Sequence, residues 1–260
     1  EPENTVNDLI GQMEVEIEKD RNSAVGWRYL MQPWLRTPLM IAVCIMFFQQ
    51  FVGINTVIYY SPKIFLMAGF ESTLSAIWAS VGIGIVNVVF TVISLYLVDR
   101  IGRRKLYFIG LSGIAFSVLC LSACFIYANQ LGEIGRWLMV IFMFGYVAFF
   151  AISIGPLGWL VISEIFPQKV RGLGTSIGSL AVWIFNCIVS FTFFKIIDFF
   201  SIPGTEIVVG QTTSENPAGA FFLYGFIAVL GLVWGYLFLP ETKGLSLEEI
   251  EQKWRKNREC

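Results

Sequence analysis

Residues 38–61 read PLMIAVCIMFFQQFVGINTVIYYS, and no Asp, Glu, Lys or Arg falls between positions 37 and 62. A helix needs about 20 apolar residues to cross about 30 Å of hydrocarbon, so the stretch is long enough to span a membrane. It is nevertheless not uniformly apolar: it holds Gln49, Gln50, Asn55, Thr56, Tyr59 and Tyr60. Leaving the two adjacent glutamine amides unpaired in hydrocarbon would cost several kcal/mol. Gln50 and Asn55 stand five residues apart, about 140° out of phase on an ideal helix. They converge only if the helix bends or unwinds between them, and Gly53 lies there. Irregular backbone at membrane depth is tolerated where it lines a cavity, and interrupted helices form binding sites near the bilayer midplane. The competing reading is that buried amides and hydroxyls are glue between helices, worth about 0.6 kcal/mol each on average.

Outward from this segment, five further apolar stretches follow at about 74–98, 105–128, 137–162, 173–197 and 218–239. The expected fold is an all-α membrane protein with six transmembrane helices over 37–240. It is flanked by a polar segment, 1–36, and a charged, helical tail, 241–260. The composition agrees: of 260 residues, 56% are hydrophobic and 14% charged, against about 25% charged in an ordinary soluble domain. A soluble globular enzyme is thereby excluded. The chain has no histidine, so His-ligated haem, His-based metal sites and histidine catalysis are excluded as well. Cys44, Cys120, Cys124, Cys187 and Cys260 form no C-x-x-C pair, and four of them sit in apolar runs as small membrane hydrophobes. No catalytic residue, metal, cofactor or nucleic-acid partner is expected. Neither end resembles a signal peptide.

Charge sets the orientation. Fifteen of the 18 Lys and Arg fall in the N-terminal segment, the second and fourth loops and the tail; only Lys63, Arg136 and Lys195 lie on the other side. The positive-inside rule makes both termini cytoplasmic. The longest loop on the opposite side, about 198–217, contains Pro203-Gly204 and Asn216-Pro217 and is expected to be a surface loop.

The spans differ in polarity. The second carries Ser80, Gly84, Asn87, Thr91 and Ser94 at helical spacing, hence on one face. The fifth carries Ser179, Trp183, Asn186 and Ser190, again on one face, and the fourth has Ser153, Trp159 and Ser163 around Gly155, Pro156 and Gly158. A second backbone break is expected at those glycines and proline. The third and sixth spans have no amide side chain and are expected at the periphery. The combined lining is Gln, Asn, Ser, Thr, Tyr and Trp without formal charge. Amides pair a donor with an acceptor, as vicinal hydroxyls require, and aromatic rings cover the apolar face of a sugar ring. An ion or amino acid would need a charge or a helix terminus aimed at it. The expected ligand is a neutral polyhydroxylated solute held weakly, since each hydrogen bond nets about 1 kcal/mol.

At these residues the sequence resembles a known family. QQFVGINTVIYYS (49–61), DRIGRR (99–104), GPLGW (155–159), SEIFPQKVRG (163–172) and PETKG (240–244) are similar to motifs in the C-terminal half of the sugar porter family of the major facilitator superfamily. That family includes facilitative glucose transporters and bacterial xylose–proton and galactose–proton symporters. The resemblance implies one six-helix bundle built as 3+3 inverted repeats, with 1–36 as the cytoplasmic inter-bundle helical segment. It implies substrate binding by Gln49, Gln50, Asn55, Asn87, Trp159, Trp183 and Asn186, with Tyr59 and Tyr60 as an extracellular gate. It also implies a cytoplasmic charge network of Asp99, Arg100, Arg103, Arg104, Glu164, Arg171 and Glu241 that clamps the two bundles in an outward-open state. Two positions depart from the pattern: Val182 stands where the family often has Asn or Gln, and Ala151 where many glucose uniporters carry a carboxylate.

The function expected on this basis is transport of a monosaccharide, hexose or pentose, by alternating access in the plasma (inner) membrane. The wording of the motifs favours proton-coupled symport. A facilitative uniporter and a non-transporting sugar sensor are the alternatives. The partners are the neutral monosaccharide, the lipid bilayer, protons as coupling ion, and an N-terminal six-helix half in the same or a separate chain. That half is expected to be missing here because the chain begins without Met and holds one bundle of two. The coupling carboxylate would lie in it.

Overall fold

The computed structural model describes residues 30–70, 72–201, 207–209, 212–244, 249–250 and 254. Most of the 1–36 segment, much of the 241–260 tail and Cys260 lie outside the described residues. Six helical stretches are long and apolar enough to cross a bilayer: Pro33–Met67, Thr73–Ile101, Arg103–Ile126, Ala128–Ile165, Gln168–Phe199 and Ala218–Phe238. They overlap the six spans read from the sequence. Four of the six run further, the fourth across a kink at Gly132 (φ 54°, ψ −130°).

Two of the six are interrupted. The first consists of α1 (Arg36–Phe51) and α2 (Ile54–Met67), joined at Val52–Gly53. The next two, α3 (Thr73–Ile101) and α4 (Arg103–Ile126), are continuous. The fourth consists of α5 (Ala128–Ile152) and α6 (Ile154–Ile165). The fifth and sixth are α7 (Arg171–Phe199) and α8 (Ala218–Phe238).

Gly53 breaks the first span because it adopts φ 87°, ψ 16°, a left-handed conformation that costs other residues about 1–2 kcal/mol. Carbonyls on both sides of the break find donors, as buried backbone demands. The Tyr146 hydroxyl donates to the Val52 carbonyl at 2.9 Å, and the Thr56 hydroxyl donates to that of Gly53 at 2.7 Å. The ring of Tyr224, from α8, lies directly over Gly53, so a Cβ there would overlap it.

The second break falls at Ser153 (φ −128°, ψ −103°), not within Gly155–Gly158 as expected. Pro156 explains the shift. A proline has no N–H, and its ring collides with the carbonyl four residues earlier. Here that residue is Ile152, where α5 stops. Pro156 then sits in the first turn of α6, where a missing N–H costs nothing.

Packing reverses one expectation. The third span, α4, does not line the cleft described below, but it is not peripheral. It lies between α8 and α5, and 61% of its most apolar window is buried, against 11% for α3. Small residues permit this closeness. Gly231 and Gly235 on α8 face α4; the Tyr107 hydroxyl donates to the Gly231 carbonyl at 3.0 Å, and a Cβ on Gly231 would come within 2.8 Å of Leu111. The exposure of α3 is apolar: Trp78, Ile85, Val88 and Leu95 are all more than half exposed.

The 198–217 loop contains a two-stranded antiparallel hairpin, β1 (Ile207–Val209) and β2 (Thr212–Ser214), with Val208 opposite Thr213. The β-branched runs Ile-Val-Val and Thr-Thr, separated by two residues, favour this pairing.

Candidate functional site

The two breaks meet. Between them lies an open cleft of about 330 Å³, lined by Gln49, Gln50, Ile54 and Asn55 of the first span and by Phe150, Ala151, Gly155, Pro156 and Trp159 of the fourth. Asn87 and Thr91 of α3 and Val182 of α7 complete it. No lining residue is charged. Nothing from α4 or α8 reaches the cleft, in line with their lack of amide side chains.

Within the cleft the amides form a continuous chain. Asn55 Nδ2 donates to Gln50 Oε1 at 2.6 Å, and Gln50 Nε2 donates to Gln49 Oε1 at 3.3 Å. Gln49 Nε2 in turn donates to the Ile154 and Gly155 carbonyls at 3.1 and 2.7 Å. The turn at Gly53 makes the first bond possible by swinging Asn55 back onto Gln50. Gln49 and Gln50 are both buried, while Trp159 is 42% exposed, its ring open to the cleft. The Asn87 side chain makes no hydrogen bond among the described residues, whereas Thr91 is satisfied by the Asn87 carbonyl at 2.7 Å.

Two residues expected at the site are elsewhere. Trp183 is 66% exposed and outside the lining. Asn186 lies one turn beyond Val182, farther along α7, and is occupied by other side chains. Its Nδ2 donates to the Tyr59 hydroxyl at 3.3 Å, and its Oδ1 accepts from the Ser190 hydroxyl at 3.0 Å. The residue of α7 that faces the cleft is Val182; Asn186 shares its helix face but lies one turn farther on, and Trp183 is rotated from it. Tyr60 joins the same outer cluster. Its hydroxyl donates to the Ser190 carbonyl at 3.3 Å and its ring stacks on Phe193 at 5.4 Å. The two tyrosines therefore tie α2 to α7 next to the cleft.

At the opposite end the expected charge network is only partly assembled within this bundle. Arg103 pairs with Glu164 at 2.8 Å and with Asp99 at 3.3 Å. The Thr242 hydroxyl donates to Glu164 at 2.6 Å. Glu241 accepts from the backbone N–H of Arg103 and Arg104 at 3.0 and 3.2 Å, so its carboxylate caps α4 from outside the helix. Arg104 donates to the Tyr236 carbonyl at 2.7 Å. Arg100 is exposed, and its carbonyl accepts from Lys243 Nζ at 2.7 Å. Arg171 joins no pair: its Nε and Nη2 are buried without a hydrogen-bond partner among the described residues. Three of the seven side chains, Arg100, Arg104 and Arg171, thus pair with no charged side chain of the network among the described residues.

Sequence reasoning missed Ile54 and Phe150 in the lining and the tyrosines behind the first break. Those positions carry no polar period, and Tyr146 and Tyr224 sit in otherwise apolar runs, so only the tertiary contact reveals them.

Over residues 2–254 the chain matches the family model described as sugar (and other) transporter. It is 35% identical over 256 residues to the probable metabolite transport protein CsbC of Bacillus subtilis, covering 98% of this chain and 51% of that protein. It is 38% identical to the glucose transporter GlcP of Staphylococcus epidermidis (88% and 47% covered) and 35% identical to the D-xylose–proton symporter of Escherichia coli K12 (93% and 46%). Among solved structures, it aligns with a double-tryptophan mutant of XylE at a TM-score of 0.75 and 35% identity, covering 95% of this chain and 49% of that one. It aligns with the proton:xylose symporter XylE bound to 6-bromo-6-deoxy-D-glucose at 0.73 and 34%, with the same coverage. The chain spans about half the length of the curated relatives it matches.

Proposed function

Because this chain belongs to the sugar transporter family, a family of membrane carriers and not enzymes, we propose that it supplies the C-terminal six-helix bundle of a monosaccharide carrier working by alternating access. It is an integral membrane protein, with six apolar helices of spanning length. The observation that carries the reading is the uncharged cleft between two broken spans, presenting Gln50, Asn55 and Asn87 beside Trp159. A charged solute would have no counter-charge there, whereas a sugar finds donors and acceptors for its hydroxyls and a ring for its C–H face.

Substrate binding is assigned to Gln49, Gln50, Asn55, Asn87 and Trp159, all of which line the cleft, with Tyr59 and Tyr60 as the gate on the extracellular side. The relatives' names include a glucose transporter and a xylose–proton symporter, which supports a hexose or pentose. Proton-coupled symport is the form favoured, with uniport as the alternative. The cleft holds no carboxylate, so a coupling acid would come from an N-terminal six-helix half. That half, covering the exposed faces of α3 and α7, is the partner required for transport. Both termini then face the cytoplasm, in the plasma membrane. In its outward-open state the Arg103–Glu164–Asp99 cluster holds the cytoplasmic helix ends together, and its separation accompanies inward opening.

The test is uptake of labelled xylose, glucose and galactose into proteoliposomes holding this chain together with an N-terminal half, with and without a proton uncoupler. Uptake of at least one sugar is expected, abolished by Gln50→Ala while membrane insertion is retained. Absence of uptake for all three, or uptake unchanged by Gln50→Ala, overturns the assignment.

A further inference from the structure

The polar groups around the cleft are not spread evenly. The amides come from α1, α2 and α3, and α6 brings the Trp159 indole, whereas α5 and α7 bring hydrocarbon alone: Phe150, Ala151 and Val182. Val182 is set level with an amide. α2 and α7 run side by side, since the Tyr59 hydroxyl accepts from Asn186 and the Tyr60 hydroxyl donates to the Ser190 carbonyl. Four residues earlier on each helix, one turn back on the same face, stand Asn55 and Val182, and both line the cleft. Where the neighbouring turn pairs polar with polar, this turn sets an amide at the level of an isopropyl group. Val182 is 6% exposed and lies inside the unbroken helix α7, whose backbone groups bond to one another. Ser179, one turn earlier, is turned back on the Thr175 carbonyl at 2.9 Å. The α7 wall therefore offers a ligand neither donor nor acceptor, and a β-branched side chain is too stiff to withdraw from it.

A sugar hydroxyl seated against that wall gives up water and gains no partner, while a C–H or methyl group there gives up nothing. We propose that Val182 is a specificity-determining residue and that the preferred substrate is a deoxy sugar, a monosaccharide carrying hydrogen or methyl in place of one hydroxyl on the edge turned to α7. This rests on the monosaccharide-carrier reading above and narrows it. The remaining hydroxyls go to the amides of α1, α2 and α3, and the apolar face of the ring goes to Trp159. The discrimination is bounded, because an apolar pocket rejects an added hydroxyl by no more than about a hundredfold.

The test is competition for labelled glucose, galactose and xylose in the two-half carrier by the singly deoxygenated analogues of each sugar. In the wild type one analogue should displace the label better than its parent, by roughly three- to a hundredfold. Analogues lacking the other hydroxyls should bind more weakly than the parent, because each leaves an amide without its partner. Val182→Asn puts a donor and an acceptor where the isopropyl group was. It should bring the favoured analogue to parity with its parent or below, without reordering the others, a selective change that general damage to the bundle would not produce. The wild-type profile needs no substitution, so the proposal can still be refuted if Val182→Asn fails to insert. A wild type that binds every analogue no better than its parent overturns the proposal and leaves the carrier reading standing, as does a preference that Val182→Asn leaves unchanged. No binding of any of the three sugars or their analogues overturns the carrier reading itself, and the proposal with it.

Discussion

Gly53→Ala attacks the first break at the point where its geometry is least forgiving. Two costs add. An alanine at φ 87° carries the left-handed penalty of about 1–2 kcal/mol. Its Cβ would also intrude on the Tyr224 ring, which is 1% exposed and has little room to retreat; overpacking of this kind costs typically 1–3 kcal/mol. The expected destabilisation is about 2–5 kcal/mol, measured as the shift in reversible denaturation of the purified protein in detergent micelles. The cycle with Tyr224→Ala separates the terms. Removing the ring is itself expensive, since large-to-small core changes cost about 3–5 kcal/mol, but it abolishes the clash. In the Tyr224→Ala background Gly53→Ala should cost only the backbone share, about 1–2 kcal/mol. If Gly53→Ala lies within about 0.5 kcal/mol of wild type, or costs the same in both backgrounds, the break is not held as described.

The Arg103 cluster and the tyrosine behind the break give further expectations. Arg103 has two acidic partners in different surroundings: the Glu164 side chain is 20% exposed and that of Asp99 75%. Asp99→Ala should therefore cost less than about 0.5 kcal/mol, whereas Glu164→Ala, which strips the shielded partner from Arg103, should cost about 1–3 kcal/mol. Equal losses in thermal denaturation would contradict this ranking. Tyr146→Phe leaves the Val52 carbonyl buried without its donor and should destabilise by about 1–3 kcal/mol. Tyr60→Phe, whose hydroxyl bond is longer at 3.3 Å and only partly buried, should cost less than half as much in the same assay.

Much of the fold was legible because hydropathy is a property of segments, and six segments are apolar enough to need a membrane. The first break was legible for a different reason. Gln50 and Asn55 are out of phase by helix geometry, and the intervening Gly53 offered the way to bring them together; their 2.6 Å hydrogen bond is the result. The second break lies at Ser153, a few residues before the expected glycines and proline, because Pro156 excludes the carbonyl four residues earlier, at Ile152. Trp183 and Asn186 were implied by the resemblance to lie at the site, but Trp183 is rotated away from the face that carries Val182, and Asn186, though on that face, lies a turn farther along α7. The structure turns Val182 inward and gives Asn186 to Tyr59. Burial of α4 was illegible from its own sequence. It depends on Gly231 and Gly235 of a helix more than a hundred residues away, and on the close approach they permit.

The most direct test of the central claim compares a neutral sugar with charged relatives of the same shape at one site. Equilibrium binding of labelled glucose or xylose to the two-half carrier should be saturable and weakened by Asn87→Ala. It should be displaced by the unlabelled neutral sugar, but not by the matching uronate or amino sugar at the same concentration. Equal displacement by a uronate, or saturable binding insensitive to Gln50, Asn55 and Asn87 alike, would mean that the uncharged cleft between the two broken spans is not where this protein holds its substrate.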